Sequence, residues 1–282
     1  MELIQPLLSH AALKRDILDA PRSASTCCLW WLGQSGFLIA WNGAYLLLDP
    51  YLSDSLSLKY ARSDKPHHRL SAPAIEPGEL DFLHVVTSSH NHTDHLDAQT
   101  LGPLFQANPA LQFVLPEANR GFAGERLGRD AITWIGLDAG RTARVSGFIV
   151  HGVAAAHNEL ETDEIGHHKY LGLLVECGPF TIYHSGDCLM YDGLIEKLSR
   201  FKIDLALLPI NGNKPERRVA GNFDACEAAF LAREIGAGLA VPCHYAMFEF
   251  NTADPEEFAR ECQALAQPYR ILALGERLEL RK

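Results

Sequence analysis

The amino-acid sequence predicts an α/β protein in four layers, an αββα sandwich of two mixed β-sheets flanked by helices. Three observations predict it. Residues 26–48 are strand-like and punctuated by turns, and residues 141–184 return to the same pattern. Each stretch is followed by segments in which helical and strand-like periods alternate, so helices have two sheet faces to cover. Hydrophobic residues make up 47% of the 282, an ordinary globular share that can bury a sizeable core. No internal repeat, low-complexity tract or linker interrupts the chain, which reads as one domain over 1–282.

Taken in order, residues 2–20 carry apolar side chains at near-helical spacing (Leu3, Ile4, Leu7, Leu8, Ala11, Ile17), and Pro21 ends the segment. An N-terminal helix over about 2–20 is therefore expected. Thr26–Leu32 is a strand and Gly33-Gln34-Ser35-Gly36 a turn. Asn42-Gly43 between Phe37–Trp41 and Ala44–Leu48 signals a two-residue hairpin. Residues 51–80 read as a long irregular loop, a kind that is often functional. The apolar strand Phe82–Thr87 leads into a polar stretch and then a helix from Leu96 to Ala107.

Leu111–Leu115 and Ile132–Ile135 are strands around a helix at Glu117–Leu127. After the second strand-rich stretch, whose hairpin loop is Cys177-Gly178-Pro179, Met190–Phe201 is helix-like. Ile203–Ile210 is a nearly continuous apolar run, the pattern of a strand buried on both faces. A helix at Asn222–Ile235 with Asn222 as cap, a strand at Leu239–Val241, a helix at Asp254–Ala266 and a strand at Arg270–Leu280 complete the chain.

Composition excludes some functions. Thirty-five acidic against 25 basic residues give a formal charge of −10, and no basic run is present, so no nucleic-acid partner is expected. No apolar stretch reaches the ~18 residues of a membrane span. Nor does the N-terminus have the basic-then-apolar form of a secretory signal. Seven cysteines, with Cys27 and Cys28 adjacent, do not make a disulfide framework; Cys226 and Cys262 are expected in the core. A reducing cytoplasm is the simplest location. Enzymes of this size often self-associate, so a homo-oligomer is the working expectation.

The chemistry concentrates in Ser89-His90-Asn91-His92-Thr93-Asp94-His95. Imidazole and carboxylate are ligands for borderline divalent cations such as zinc and manganese. His90 and His92, two apart in a loop, can converge on one ion, and Asp94 and His95 can reach a second nearby. His157, Asp187 and His244 also stand where apolar strands run out into loops, so all could meet at one end of the sheets. His151 rivals His157, and Cys243 rivals His244, although neighbours at a strand end point opposite ways. Ser185-Gly186-Asp187 would also suit a plain turn, and His184 alternates away from the site.

These positions, in this order, resemble the metallo-β-lactamase fold superfamily, whose signature is His-x-His-x-Asp-His followed by a His, an Asp and a C-terminal His. Leu29-Trp30-Trp31-Leu32-Gly33-Gln34-Ser35-Gly36-Phe37, Leu48-Asp49-Pro50-Tyr51, His184-Ser185-Gly186-Asp187 and Pro242-Cys243-His244-Tyr245 are similar to the group that contains L-ascorbate-6-phosphate lactonase. The resemblance implies that His90, His92 and His157 hold one metal, Asp94, His95 and His244 a second, and Asp187 both. It implies two divalent ions per chain, zinc by ligand type or manganese by the lactonase likeness. Oxygen-reducing diiron relatives typically carry glutamate where His92 stands, so hydrolysis is favoured.

The expected reaction is metal-dependent hydrolysis of a small, anionic ester, lactone or phosphorylated metabolite by a hydroxide bridging the two ions. Asp94 serves as ligand and as the catalytic residue that orients the nucleophile. Substrate contacts are expected from His67, His68, His168, Asn213 and Tyr245, with Lys169, Arg217 and Arg218 as nearby cations. A phosphodiesterase acting on a lipid or nucleotide, and a non-catalytic metal-binding protein, are the rival readings. Cys188 and Cys243 adjoin Asp187 and His244 in the sequence, which leaves open whether either influences the site.

Overall fold

Two mixed sheets, seven- and six-stranded, make up the centre of the computed structural model, which describes residues 3–128 and 132–282. The first sheet holds β1 (Thr26–Gly33), β2 (Gly36–Trp41), β3 (Ala44–Leu48), β4 (Val85–Thr87), β5 (Gln112–Pro116), β6 (Thr133–Leu137) and, at its edge beside β1, β13 (Arg277–Arg281). The second runs in the order β12-β11-β10-β9-β8-β7, from β7 (Thr142–Val145), β8 (Phe148–Ala154), β9 (Leu171–Cys177), β10 (Phe180–His184), β11 (Leu205–Pro209) and β12 (Leu239–Cys243). Side chains from both sheets fill one continuous apolar core, Leu29, Leu47 and Val86 from the first and Val150, Ile182 and Leu207 from the second. The predicted αββα architecture is the one observed.

Strand direction decides where the loops go. In the second sheet β8 and β10 are each antiparallel to β9, and β10, β11 and β12 are parallel, so the C-terminal ends of β8, β10 and β12 share one edge. In the first, β3, β4, β5 and β6 are parallel, and β1 and β3 are each antiparallel to β2. Thus β1, β3 and β4 also end on one edge. Segments leaving these ends are free of ladder hydrogen bonds and can carry chemistry, as ligand-binding loops of α/β sheets commonly do.

Local chemistry explains the turns. Asn42 and Gly43 both have positive φ (49° and 82°), as a type I′ hairpin requires, and Trp41 pairs with Ala44 across it. Gly178-Pro179 closes the β9–β10 hairpin, with Cys177 facing Phe180.

Helix limits depart from the sequence reading in several places. The N-terminal helix is confined to α1 (His10–Leu18); residues 3–9 run extended, Ile4 bridging to Ser71. The predicted residue 2 of that helix lies outside the described residues. Backbone bonds to two loops hold the segment off a helical path, Leu7 N–H donating to Leu274 O and His10 N–H to Ala74 O, while Leu3, Ile4 and Leu7 stay exposed. The 51–80 loop contains a short helix, α2 (Ser55–Tyr60). The helix after the polar stretch is α3 (Ala98–Ala107), capped by Asp97, and α4 is Arg120–Leu127.

The Met190–Phe201 helix shrinks to α5 (Leu194–Leu198). Asn222 is not a cap: α6 (Ala225–Glu234) starts with a capping box between Asp224 and Glu227. The last helix is α7 (Pro255–Ala264), capped by Asp254, and the final strand is only β13. Cys226, expected in the core, lies exposed on α6; Cys262 is buried on α7. Among the described residues no helix is long and apolar enough to cross a membrane.

Candidate metal centre

Seven side chains named from the sequence meet where the two sets of strand ends face each other. His90, His92, Asp94 and His95 come from the segment between β4 and α3, His157 from beyond β8, Asp187 from beyond β10 and His244 from beyond β12. The segment is held as a tight turn: His95 and Leu96 N–H donate to His92 O, and Arg126 of α4 donates to the carbonyls of Asn91 and Leu96. His90, His92 and His157 offer ligand atoms within 4.8 Å of one another, and so do Asp94, His95 and His244. Asp187 reaches both groups. Its Oδ1 is 3.3 Å from His95 Nε2, and its Oδ2 is 3.3 Å from His244 Nε2 and 3.6 Å from His157 Nε2.

The neighbours fix which ring nitrogens face inward. His157 Nδ1 donates to Gly221 O at 2.8 Å, leaving Nε2 with its lone pair. His95 Nδ1 is 2.7 Å from Asp49 Oδ2, and a carboxylate only accepts, so Nδ1 carries the proton and Nε2 is presented to the cluster. His90 Nδ1 lies 3.0 Å from Ser89 Oγ. Asp49 is fully buried; it also accepts from Ser89 N–H and Thr87 Oγ1. It forms a third ligand-like trio with His90 and His95. Since both its oxygens are engaged on the far side of His95, its role is to orient that ring, the arrangement that metal-binding histidines usually have.

Electrostatics divide the histidines. Burial pushes His90 well below the ordinary imidazole range, aided by the facing rings of His95 and His92. Burial lowers His157 to about 4. For His95 and His244 burial acts in the same direction but is outweighed: Asp187 and Asp94 hold His95 well above the ordinary range and His244 at about 9. Asp94 and Asp187 resist the effect of burial because these rings lie beside them, and both carboxyls are held below the usual range.

The donor set fits a bound cation. His90 Nε2, His95 Nε2 and Asp187 Oδ1 are buried without a hydrogen-bond partner, an arrangement that costs free energy unless something accepts their lone pairs. A proton on His95 Nε2 would serve Asp187 Oδ1, 3.3 Å away, but His90 Nε2 is left without a partner, and burial disfavours the imidazolium there.

The cluster floors a cavity of about 500 Å³. Of the expected substrate contacts, only His67 lines it. His68 faces a separate surface hollow with Arg218 and Glu249. His168 donates to Asp138 at 2.9 Å, away from the cavity. Asn213 is exposed and packs where Gly221 has no side chain. Tyr245 stacks on Trp31 at 4.8 Å and lines an apolar cavity elsewhere with Leu272 and Leu274.

Of the nearby cations, Arg217 is spent on Asn251 and Thr252 carbonyl groups, Arg218 on Asp64 and Lys169 on Glu161. His151 is tied to Thr142 and Glu176 on the sheet, and His184 to Ser35 O. Cys188 and Cys243 are buried thiols, pushed up by burial, and neither belongs to a ligand-like group.

Four residues were missed. Gln34, in left-handed conformation (φ 49°), donates Nε2–H to Asp94 Oδ2 at 2.8 Å, and its carbonyl accepts from His244 N–H. Asp49 had a signal, a carboxylate ending an apolar strand just before Pro50. Tyr170 packs its ring 5.3 Å from His90, and Asn222, read as a helix cap, lines the cavity.

Comparison with known proteins identifies the family. Residues 45–245 match the family model described as "Beta-lactamase superfamily domain". A "UPF0173 metal-dependent hydrolase" from Rubrobacter xylanophilus is 30% identical over 86% of this chain and 90% of its own length. One of the same description from Caldivirga maquilingensis is 26% identical over 87% and 94%. The solved structure of Igni18, a metallo hydrolase from Ignicoccus hospitalis, superposes with a TM-score of 0.66 at 20% identity, covering 92% of this chain and all of that one, and shares the fold.

Proposed function

The chain belongs to the beta-lactamase superfamily, and from that premise we propose that it is a metal-dependent hydrolase whose site holds two divalent ions. The observation that carries the reading is the set of orphaned atoms His90 Nε2, His95 Nε2 and Asp187 Oδ1, buried beneath a cavity that His92, Asp94, His157, Asp187 and His244 line. His90, His92 and His157 would hold one ion, Asp94, His95 and His244 the other, and Asp187 both. Zinc suits the donor set, and the likeness to L-ascorbate-6-phosphate lactonase speaks for manganese. Bound there, the ions would ionise water near neutral pH and act as Lewis acids toward a carbonyl or phosphoryl oxygen.

The protein's own residues do the rest. Asp94, held by Gln34 Nε2, keeps one carboxylate oxygen pointed at the cluster and orients the attacking water. Asp49 keeps His95 in one tautomer, and the Gly221 carbonyl does the same for His157. Asn222 and Asn251, on the cavity wall, offer amide groups to a polar substrate. The substrate class is a small ester, lactone or phosphorylated metabolite. Among the described residues the lining has no basic groove for a polymer, which disfavours a nuclease-like phosphodiesterase.

Stripping the metal should abolish turnover on a panel of lactones, esters and phosphodiesters, and zinc or manganese should restore it. Turnover that survives stripping would overturn the proposal. Turnover restricted to phosphodiesters would favour the phosphodiesterase, and a loaded protein inert on the whole panel a binding role.

A further inference from the structure

One wall of the cavity is aromatic. His67 stacks on Tyr60 with ring centroids 4.3 Å apart and planes 15° apart, and Phe250 closes the other side at 4.4 Å. These rings form the outer layer of a small apolar cluster, Tyr51, Leu56, Met247 and Phe248, separate from the main core. The inner layer is buried, whereas Tyr60, His67 and Phe250 remain half-exposed and face the cavity. The outer rings cover part of one another's faces, and what is left of their aromatic surface lines the cavity.

His67 Nδ1 donates to Lys65 O at 2.9 Å, which fixes the ring in this stack, and burial lowers its pKa. The ring is therefore neutral at pH 7 and belongs to the apolar wall.

Charge on the lining is one-sided. The carboxylates there, Asp94 and Asp187, belong to the ligand cluster, whereas Lys59 and Arg126 have no carboxylate within ion-pair distance among the described residues. Lys59 Nζ lies 5.1 Å from the centre of the Tyr60 ring, beside the stack. Arg126 is spent on the carbonyls of Asn91 and Leu96, so in a chain of net charge −10 the unpaired Lys59 at this mouth marks where an anion is wanted.

We infer that the substrate is a small organic anion with an aromatic body, seated against Tyr60, His67 and Phe250 with its negative charge toward Lys59. A volume of about 500 Å³ suits a molecule of one or two rings. The inference deepens the hydrolase reading, and rests on it for the word substrate.

The test is binding, so that it stands apart from turnover. Metal-loaded protein is titrated calorimetrically with benzylphosphonate and with cyclohexylmethylphosphonate. They match in charge and in anionic group and differ in flatness. Benzylphosphonate should bind about 2- to 12-fold tighter, the range of an aromatic contact beyond its buried area. Tyr60→Leu and Phe250→Leu should each reduce that ratio toward one while metal content stays unchanged. Lys59→Gln should weaken both ligands alike.

A ratio of one in the unmodified protein, or a preference that survives both leucine variants, overturns the inference. Failure of every ester to turn over, with the aryl preference intact, sinks the hydrolase reading and still supports the aromatic wall. Turnover with no aryl preference sinks only the wall.

Discussion

His95 can present Nε2 to a cation only while Asp49 keeps a proton on Nδ1. Asp49→Asn preserves volume but weakens that hold, and metal affinity should fall about 10- to 100-fold, the usual cost of losing a partner behind a ligand; equilibrium dialysis against a metal buffer measures it. Asp187→Ala should lower metal content and turnover together, whereas His151→Ala, tied to Thr142 and Glu176 away from the cavity, should leave both nearly intact.

His244, together with His95, whose proton Asp187 and Asp94 likewise hold, sets the pH dependence. Burial favours its neutral form, but Asp187 and Asp94 raise it to about 9, so in metal-free protein at pH 7–8 it is protonated. Stability from that proton is complete below the ordinary imidazole value of about 6.5 and is lost as pH rises through about 9. A cation at Nε2 must displace the proton. Metal uptake at pH 7–8 should therefore release protons, read as a dependence of calorimetric heat on buffer ionisation enthalpy, and affinity should rise with pH up to about 9. His157, at about 4, releases none in that range.

Among the elements, the loops at strand ends do the positioning, and Gly186 shows how tightly. It sits at φ 59°, and a Cβ there would come within 2.8 Å of Ser89 Cβ and of Leu171 O. Gly186→Ala should cost about 1–2 kcal/mol from the left-handed conformation alone. The push on Ser89, next to His90, should lower metal content as well. Chemical denaturation and metal analysis read the two effects.

The strands and hairpins were legible because β-branched and apolar runs broken by Asn-Gly or Gly-Pro have few alternatives. Helix ends were less so. Asn222 offered a cap by residue type, but Asp224 won because Glu227 completes its box. The non-helical path of residues 3–9 is set by backbone hydrogen bonds to segments near residues 70 and 274, which local periodicity cannot see.

At the scale of the molecule, the ligand cluster joins the two sheets. His90, His92, Asp94 and His95 follow β4 of one, and His157, Asp187 and His244 follow strands of the other. Metal at a free concentration 1,000 times its dissociation constant should stabilise the fold by about 4 kcal/mol, seen as a rise in Tm that chelation reverses.

That seven candidate ligands could be read from the sequence follows from their chemistry, since His-x-His-x-Asp-His has few other uses after a buried strand. The cavity wall could not be read in the same way. Tyr60 and Phe250 stand 190 residues apart and meet only through His67, while His168 and Tyr245 lie beside strand ends yet face elsewhere.

Metal stoichiometry tests the central claim most directly. Protein stripped, reloaded with zinc or manganese and freed of excess should carry two ions per chain by elemental analysis, falling below two in Asp187→Ala. A loaded protein that holds one ion or fewer per chain contradicts the two-ion site.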